Sequence, residues 1–263
     1  MDWLQTIILG IVQGVTEFLP VSSSGHLVIA EALFEATGAG KLSDAVEFNI
    51  FLHAGTLAAL LVYYRREVTV LWTTDRRVVG LLAVGTLPAI VVGVPLKLSA
   101  GRISVLESPL LTGFFLVATG MLLIWSGRAA RGSCEYQKLT YGRAVLIGGF
   151  QAFAILPGLS RSGWTISAGL MLGLRRDAAV TFSFLLAIPA IAGATILEIF
   201  DLLSKQETGT PVSHLAAGVA ISFVVGLACL RVLVRVVRRG RLQWFAAWCI
   251  PVGLAVILWQ LSS

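Results

Sequence analysis

The sequence predicts an all-α polytopic membrane protein that forms one membrane domain over residues 1–263. Hydrophobic residues make up 57% of the chain and charged residues only 13%, whereas charged residues make up about 25% of a typical soluble domain. The mean hydropathy is +0.87, and the 27 glycines fit membrane helices, which contain more Gly than soluble helices do. This composition argues against a soluble enzyme, a disordered chain and a secreted disulfide scaffold.

The net charge of +6 does not indicate nucleic acid as a partner. The Lys and Arg residues lie mostly in short loops between apolar stretches, which is where the cytoplasmic anchors of membrane proteins occur. The three cysteines, Cys134, Cys229 and Cys249, form no CxxC pair. They therefore predict neither a disulfide framework nor a thiolate metal site.

Six apolar stretches have the length of about 20 residues that a transmembrane helix needs. They lie at 44–64, 78–96, 109–126, 178–200, 211–232 and 242–262. We do not expect the apolar run at the N-terminus to be a signal peptide, because Gln13 and Glu17 interrupt it and no Lys or Arg precedes it.

Two further apolar regions, 3–36 and 142–174, are interrupted by segments rich in Pro, Gly and hydroxyl residues, at 20–26 and 157–163. Each half is too short to span the membrane comfortably. A broken helix also frees backbone groups that lipid cannot satisfy, so each break must be buried in protein or line a wet cavity. We therefore predict six transmembrane helices and two re-entrant helical hairpins.

The two interruptions are related by an internal repeat. An ungapped shift of 138 residues superposes identical residues in both. The matched pairs are Gly10 with Gly148, Gln13 with Gln151, Ser22 with Ser160, Ser24 with Ser162 and Gly25 with Gly163. Each half then holds one hairpin and three spans, so the second half is inserted upside down. We predict an inverted-topology repeat, with repeat one at 1–126, repeat two at 141–263, and a site at their interface.

Basic residues predict the orientation. If both hairpins return to the side they enter, the loops at 65–77, 127–143, 175–177 and 231–241 share one side of the membrane. Fifteen Lys and Arg then lie on that side against four on the other. The positive-inside rule makes the basic side cytoplasmic and puts both termini on the outer face. The hairpins enter from opposite faces, so their tips can meet inside the bundle.

Glu17, His26 and Arg161 are ionisable residues at membrane depth. A charge at the centre of the bilayer costs about 2.5–3.5 kcal/mol on insertion scales, and such residues usually mark a functional site. The structural alternative is a buried ion pair between Glu17 and Arg161 that only locks the hairpins together.

The second interruption is typical of an anion site. The guanidinium of Arg161 presents five donors in a planar arrangement that suits phosphate. Ser160 and Ser162 add hydroxyls, and Gly163 permits close approach of the backbone. Helices that open at about residues 24 and 162 would add N-terminal amides, which favour an anion. These features predict a phosphate or pyrophosphate pocket.

The first interruption supplies groups for chemistry. A hydroxyl of Ser22, Ser23 or Ser24 can attack phosphorus if a base accepts its proton, although any single serine can equally cap the next helix. His26, which follows Gly25, can act as acid or base. Glu17 can orient His26, act as the base, or bind a divalent cation.

Two further polar groups have open roles. Gln13 lies four residues before Glu17 on the same helix face, where either a packing or a binding role is possible. His53, within the first predicted span, is more often a satisfied buried histidine than a catalytic one.

The run QGVTEFLPVSSSGH at 13–26 and the run PGLSRSG at 157–163 resemble the bacitracin-resistance-type undecaprenyl-pyrophosphate phosphatases. The resemblance implies an enzyme of the bacterial inner membrane that removes the terminal phosphate of the polyprenyl lipid undecaprenyl pyrophosphate. Its product, the monophosphate, carries glycans in cell-wall synthesis. The resemblance also implies a divalent cation, Mg²⁺ or Ca²⁺, and a pocket reached from the outer face.

Matching motif positions imply the site residues. The catalytic set is Glu17, Ser23, His26 and Arg161, with Glu17 also as metal ligand; the substrate-binding set is Gln13, Ser22, Ser24, Gly25, Ser160, Ser162 and Gly163. One departure concerns Gln13, where the family usually has an acidic residue. If two carboxylates hold the cation elsewhere in the family, this protein holds it with one or uses a different residue.

Three alternatives stay open at this point. The nucleophile is either Ser23 or His26. An inverted-repeat transporter or flippase of a polyprenyl phosphate or another anion is the alternative to an enzyme, because fold alone does not fix function. The sequence does not decide between a monomer and a homodimer.

Overall fold

The computed structural model describes residues 3–36, 45–73, 75–98, 108–129, 132–205 and 210–262, and every regular element within them is helical. The α-helices are α1 (Trp3–Thr16), α2 (Ser23–Ala36), α3 (Ala45–Tyr63), α4 (Arg65–Thr73), α5 (Arg76–Leu98), α6 (Pro109–Ala129), α7 (Tyr141–Phe153), α8 (Arg161–Met171), α9 (Arg176–Lys205), α10 (Val212–Arg238) and α11 (Ala246–Ser262). Short 3-10 turns at Tyr136–Lys138 and Leu242–Phe245 precede α7 and α11. The predicted all-α class is confirmed for these residues.

Five stretches are long and apolar enough to cross a membrane. They are Arg76–Leu96, Pro109–Arg128, Arg176–Phe200, Val212–Arg238 and Leu242–Ser262. Each coincides with one predicted span. The sixth predicted span, 44–64, is the 19-residue helix α3, whose described apolar part, Phe48–Tyr63, falls short of that length. The protein is therefore a multi-pass helical membrane protein.

Helix α4 lies inside the predicted loop 65–77, so that part of the loop prediction is wrong. Glu67 lies in its first turn, where the helix dipole favours a negative charge. Val68 and Leu71, three residues apart, pack against the main core, while Arg65 and Arg66 are exposed. A nine-residue amphipathic segment is too short for its period to distinguish it from a loop by sequence.

Both predicted interruptions separate two helices. The first lies between α1 and α2 and contains Ser22 with a φ of 70°. The second lies between α7 and α8 and contains Gly158 with a φ of 95°. A residue in the left-handed region cannot continue a right-handed helix, so the chain leaves the helical path at both points.

The helices of the two halves pack crosswise. Helix α1 packs most extensively on α10, and α7 packs most extensively on α5. A β-carbon at Gly14 would lie 2.8 Å from Cβ of Val225, and one at Gly148 would collide with the backbone carbonyl of Gly85, so Gly at these positions permits the close approach. The last long helices of each half, α6 and α11, pack on each other. This packing brings the two interruptions together.

The main core lies beside the first interruption. Phe18, the residue after Glu17, is fully buried and packs edge-to-face on Phe184 of α9, with ring centroids 5.7 Å apart. Tyr64 and Leu60 extend the same cluster at the end of α3. Burial of such side chains is the main stabilising contribution to a core, so Phe18 fixes the position of the adjoining loop.

Candidate active site

The two interruptions share one capping geometry. Ser22 Oγ accepts a hydrogen bond from the Gly25 amide at 3.3 Å, and Ser160 Oγ accepts one from the Gly163 amide at 3.2 Å. Both are N-caps, in which a seryl oxygen satisfies an otherwise unpaired amide of the first helical turn. The two pairs are related by the predicted shift of 138 residues. Capping, the alternative considered for single serines, is therefore present at Ser22 and Ser160.

The two loops also contact each other. The Gly158 amide donates to Ser22 Oγ at 3.0 Å, and Ser162 Oγ donates to the Leu19 carbonyl at 3.3 Å. A β-carbon at Gly25 would lie 2.9 Å from the Gly158 nitrogen, so Gly is needed at this contact. The expectation that the loop tips meet is confirmed.

Glu17 is the centre of the polar cluster at this junction. Arg161 Nη2 donates to Glu17 Oε1 at 2.5 Å, and Ser23 Oγ donates to Oε2 at 2.7 Å. Gln13 Nε2 donates to Oε2 at 3.1 Å, and His53 Nε2 lies 3.7 Å from Oε2. The carboxylate is buried and is held on both oxygens.

Ser23 and Arg161 are counterparts in the repeat, because they are the first residues of α2 and α8. Each contacts a different oxygen of Glu17. Helix N-termini favour negative charge, so two of them stabilise this carboxylate and an anion bound beside it. The arrangement combines a guanidinium, whose planar donors suit phosphate, with a hydroxyl whose proton points at a base.

The contact between Glu17 and Arg161 is the buried ion pair considered as the structural alternative. Removal of one partner from such a pair costs about 3–5 kcal/mol, because it leaves an uncompensated charge. Arg161 Nη1, however, is buried without a hydrogen-bond partner within the described part of the chain. The guanidinium therefore has donor capacity beyond the ion pair.

A cavity of about 490 Å³ opens beside this cluster. This volume lies within the range of small-molecule sites, about 300–1,000 Å³. The polar residues of the cluster that line it are Glu17, Ser22, Ser23, Ser24, Ser160 and Arg161, joined by His53 and Gln151. The C-terminal part of α5, the turn after α7 and the middle of α9 supply mostly apolar walls.

Five of the predicted site residues do not line the cavity: Gln13, Gly25, His26, Ser162 and Gly163. Gln13 lies behind Glu17 and donates to it. Gly25 and Ser162 take part in the contact between the loops, and Gly163 packs on Pro20. These residues shape the site instead of facing into it.

The ring of His26 connects the first loop to α11. His26 Nδ1 lies 2.8 Å from the Ser22 carbonyl oxygen, and His26 Nε2 lies 2.9 Å from Nε1 of Trp248. A carbonyl only accepts and an indole N–H only donates, so Nδ1 carries the proton and Nε2 is the acceptor. The two rings are nearly parallel, with an interplanar angle of 13° and centroids 6.1 Å apart. Both ring nitrogens are thus already paired.

Three residues near the site lay outside the predicted set. His53 faces Glu17 because its Nδ1 donates to the Asn49 carbonyl at 2.8 Å, which turns Nε2 toward the carboxylate. The sequence does point to Gln151, because this residue matches Gln13 in the repeat. No sequence feature points to Trp248, because its contact with His26 depends on how α11 packs.

The described residues around Glu17 do not form a preassembled divalent-cation site. Mg²⁺ and Ca²⁺ are held by several oxygen ligands, but both oxygens of Glu17 already accept hydrogen bonds. No group of three His, Cys, Asp or Glu side chains comes together in the ranges that the structure describes. The requirement for Mg²⁺ or Ca²⁺ stays a prediction.

The fold and the site together define a multi-pass helical membrane protein with a serine–carboxylate–arginine cluster around the buried Glu17, where the two interruptions meet. Residues 6–255 match the family described as bacitracin resistance protein BacA. The chain belongs to this family.

Relatives with assigned names align over nearly the full chain. The chain is 51% identical over 261 residues to the undecaprenyl-diphosphatase of Rhodopirellula baltica, an alignment that covers 99% of both chains. It is 40% identical over 282 residues to the undecaprenyl-diphosphatase of Desulfatibacillum aliphaticivorans, covering 98% of this chain and 99% of the relative. It is 36% identical over 264 residues to undecaprenyl-diphosphatase 4 of Bacillus cereus, covering 100% and 99%.

Proposed function

We propose that the protein is a phosphatase that hydrolyses undecaprenyl pyrophosphate to undecaprenyl phosphate and inorganic phosphate, which recycles the lipid carrier for cell-wall synthesis. Full-length similarity to undecaprenyl-diphosphatases supports the substrate. The observation that carries the reaction type is the hydrogen bond of 2.7 Å from Ser23 Oγ to Glu17 Oε2, beside Arg161.

This hydrogen bond favours an enzyme over a carrier. A transporter of an anionic lipid needs a guanidinium and helix N-termini to bind the phosphates, but it has no use for a hydroxyl paired with a base. In a hydrolase, such a pair is the activated nucleophile. The cluster supplies both the binding groups and the nucleophile.

In the proposed reaction, Ser23 Oγ attacks the terminal phosphorus and its proton passes to Glu17. The bond between that phosphorus and the bridging oxygen breaks, and undecaprenyl phosphate leaves. Arg161 binds the phosphoryl oxygens, where negative charge concentrates during phosphoryl transfer. Water then hydrolyses the phosphoserine, and Glu17 returns its proton to Ser23 as inorganic phosphate departs.

Ser23 is the proposed nucleophile in preference to His26. The Ser23 side chain lines the cavity and donates to a carboxylate. His26 does not line the cavity, and its Nε2 already accepts from Trp248. We assign His26 a positioning role, since its Nδ1 proton holds the Ser22 carbonyl next to the nucleophile.

The apolar part of the cavity suits the polyprenyl chain. Ile90 and Val94 of α5 and Ile191 and Leu197 of α9 line it. Of these, Ile90, Val94 and Leu197 are exposed on the outside of the bundle, where lipid surrounds a membrane protein. We propose that the isoprenoid tail lies between α5 and α9 while the diphosphate reaches Arg161.

We also propose the finer membrane arrangement: six spans and two re-entrant hairpins in an inverted repeat of 1–126 and 141–263. The crosswise packing of α1 on α10 and of α7 on α5 supports it, because an inverted repeat exchanges these pairs. The charge asymmetry of the loops supports outer-face termini in the bacterial inner membrane.

The test of the function is phosphate release from detergent-solubilised protein with farnesyl pyrophosphate, a short and soluble polyprenyl diphosphate. We expect steady release of inorganic phosphate, together with farnesyl phosphate as the second product. Protein that binds farnesyl pyrophosphate but releases no phosphate would support a carrier and contradict the proposal.

The contact between Trp248 and His26 gives a second expected result. Trp248→Phe removes the donor to His26 Nε2 but keeps an aromatic ring. A hydrogen bond of this kind is worth about 1 kcal/mol, so we expect phosphate release to fall by roughly fivefold. The matched control is Trp244→Phe, because Trp244 is similarly exposed and packs on Arg241 instead. Equal activities of the two variants would show that the hydrogen bond from Trp248 is not needed for the positioning role of His26.

A further inference from the structure

The carboxamide of Gln151 is a buried polar group that the proposed reaction does not use. The residue is 3% exposed and lies in α7, and it lines the cavity together with Ser160 and Arg161. Neither its Nε2 nor its Oε1 has a hydrogen-bond partner among the described residues. Buried polar groups are nearly always hydrogen-bonded, and an unpaired one is destabilising. A buried and unpaired carboxamide at the wall of a cavity indicates that a bound molecule supplies its hydrogen-bond partner.

Its counterpart in the repeat shows what is missing. Gln13 donates through Nε2 to Glu17, four residues later on the same helix face. The residue four positions after Gln151 is Ile155, which has no polar side-chain atom. The first half of the repeat thus supplies an intramolecular acceptor for its amide, and the second half does not.

A second unpaired group lies on the same cavity. Arg161 Nη1 is buried and without a partner in the described ranges, although Nη2 of the same guanidinium pairs with Glu17. The two residues that carry these buried donors, one in α7 and one in α8, both line the same cavity. A phosphate group offers several acceptor oxygens and can satisfy both donors at once.

We propose that Gln151 is a substrate-binding residue whose Nε2 donates to a phosphate oxygen of the diphosphate held by Arg161. This inference rests on the proposed function. Oε1 of the same amide accepts from a water molecule or from a protonated phosphate oxygen in the cavity. Gln151 is thus a neutral partner of Arg161: it adds a hydrogen bond without adding charge.

The test compares Gln151→Leu with the wild type in two measurements. Leu matches Gln in size but makes no hydrogen bond. We expect KM for farnesyl pyrophosphate to rise about tenfold or more, as for the loss of a hydrogen bond to a charged group. We also expect the Tm of the ligand-free protein to stay the same or rise, because the variant buries no unpaired amide. Gln151→Glu, which opposes a carboxylate to the phosphates, should raise KM further.

Thr86→Val is the matched control. Thr86 is buried and lines the same cavity, but its hydroxyl already donates to the Leu82 carbonyl at 2.7 Å. This variant also loses one polar group from the cavity wall, yet we expect its KM to stay within about twofold of the wild type, because an already paired hydroxyl has no donor left for the ligand.

The thermal shift caused by inorganic pyrophosphate separates this inference from the proposed function, because it reports binding without turnover. We expect pyrophosphate to raise the Tm of the wild type and of Thr86→Val, and to raise that of Gln151→Leu much less. An unchanged KM and an unchanged pyrophosphate shift in Gln151→Leu would overturn the inference. A lower Tm of the ligand-free variant with unchanged KM would also overturn it, since that result indicates a packing role. Absence of hydrolysis by the wild type would contradict the proposed function, but it would not contradict diphosphate binding by Gln151.

Discussion

Replacement of Ser23 by Ala should lower phosphate release from farnesyl pyrophosphate by roughly 10⁴-fold or more, the scale seen when a hydrolase loses its nucleophile. The hydroxyl of Ser23 lines the cavity and donates to Glu17, and no other group in the proposed reaction can replace the oxygen that attacks phosphorus. The variant should fold, because Ala is tolerated in a helix and Ser23 is only partly buried.

Ser167→Ala is the control for this prediction. Ser167 is a fully buried serine of α8 that pairs with Ser126 at 2.8 Å and does not line the cavity. We expect it to cost some stability and little activity. If Ser23→Ala keeps a tenth or more of the wild-type rate, then a water molecule activated by Glu17 is the nucleophile and the covalent step is wrong.

The second large effect concerns Arg161. Arg161→Lys keeps a positive charge for Glu17 but loses the planar arrangement of donors, so it cannot bind Glu17 and a phosphate oxygen in the same geometry. Loss of one oriented electrostatic group in an active site costs about 2.7–4 kcal/mol, which corresponds to a decrease in kcat of about 10²–10³-fold. The measurement is kcat and KM for farnesyl pyrophosphate.

Arg161→Ala separates the ion pair from the anion site. It leaves Glu17 buried without its partner, so we expect both a loss of activity and a lower Tm. In the double variant Arg161→Ala with Glu17→Gln, the unpaired charge is gone, and we expect Tm to recover while activity stays lost. Recovery of activity along with Tm would mean that the ion pair is only structural.

Arg175→Ala is the control for both Arg161 variants. It removes an exposed arginine paired with Glu135 and Asp177, and we expect it to change neither Tm nor activity appreciably.

Much of the fold was predictable because local signals agree with the tertiary structure. Pro20 and Pro157, each followed by serines and Gly, mark the two interruptions, and helices begin within a residue of the predicted positions at Ser23 and Arg161. The spanning helices were predictable from apolar length alone. Helix α4 was not, since its short apolar pattern becomes distinct only when Val68 and Leu71 meet the core.

The sequence predicted which residues form the site better than it predicted which contacts they make. The repeat and the charges indicated Glu17, Ser23 and Arg161, and Glu17 contacts both of the others directly. The position of His26 was not predictable, because its ring orientation depends on Trp248, which lies 222 residues away in the chain. Likewise, the approach of His53 to Glu17 was not predictable, because it depends on how α3 packs against α1.

The proposed covalent step can be tested most directly by trapping the phosphorylated enzyme. Protein in excess is mixed with farnesyl pyrophosphate labelled on its terminal phosphorus, quenched at times within one turnover, and mapped by peptide mass spectrometry. We expect labelled phosphate on Ser23 that appears before free phosphate and is absent from Ser23→Ala. Label on His26, or free phosphate released at the wild-type rate with no labelled protein at any time, would contradict it.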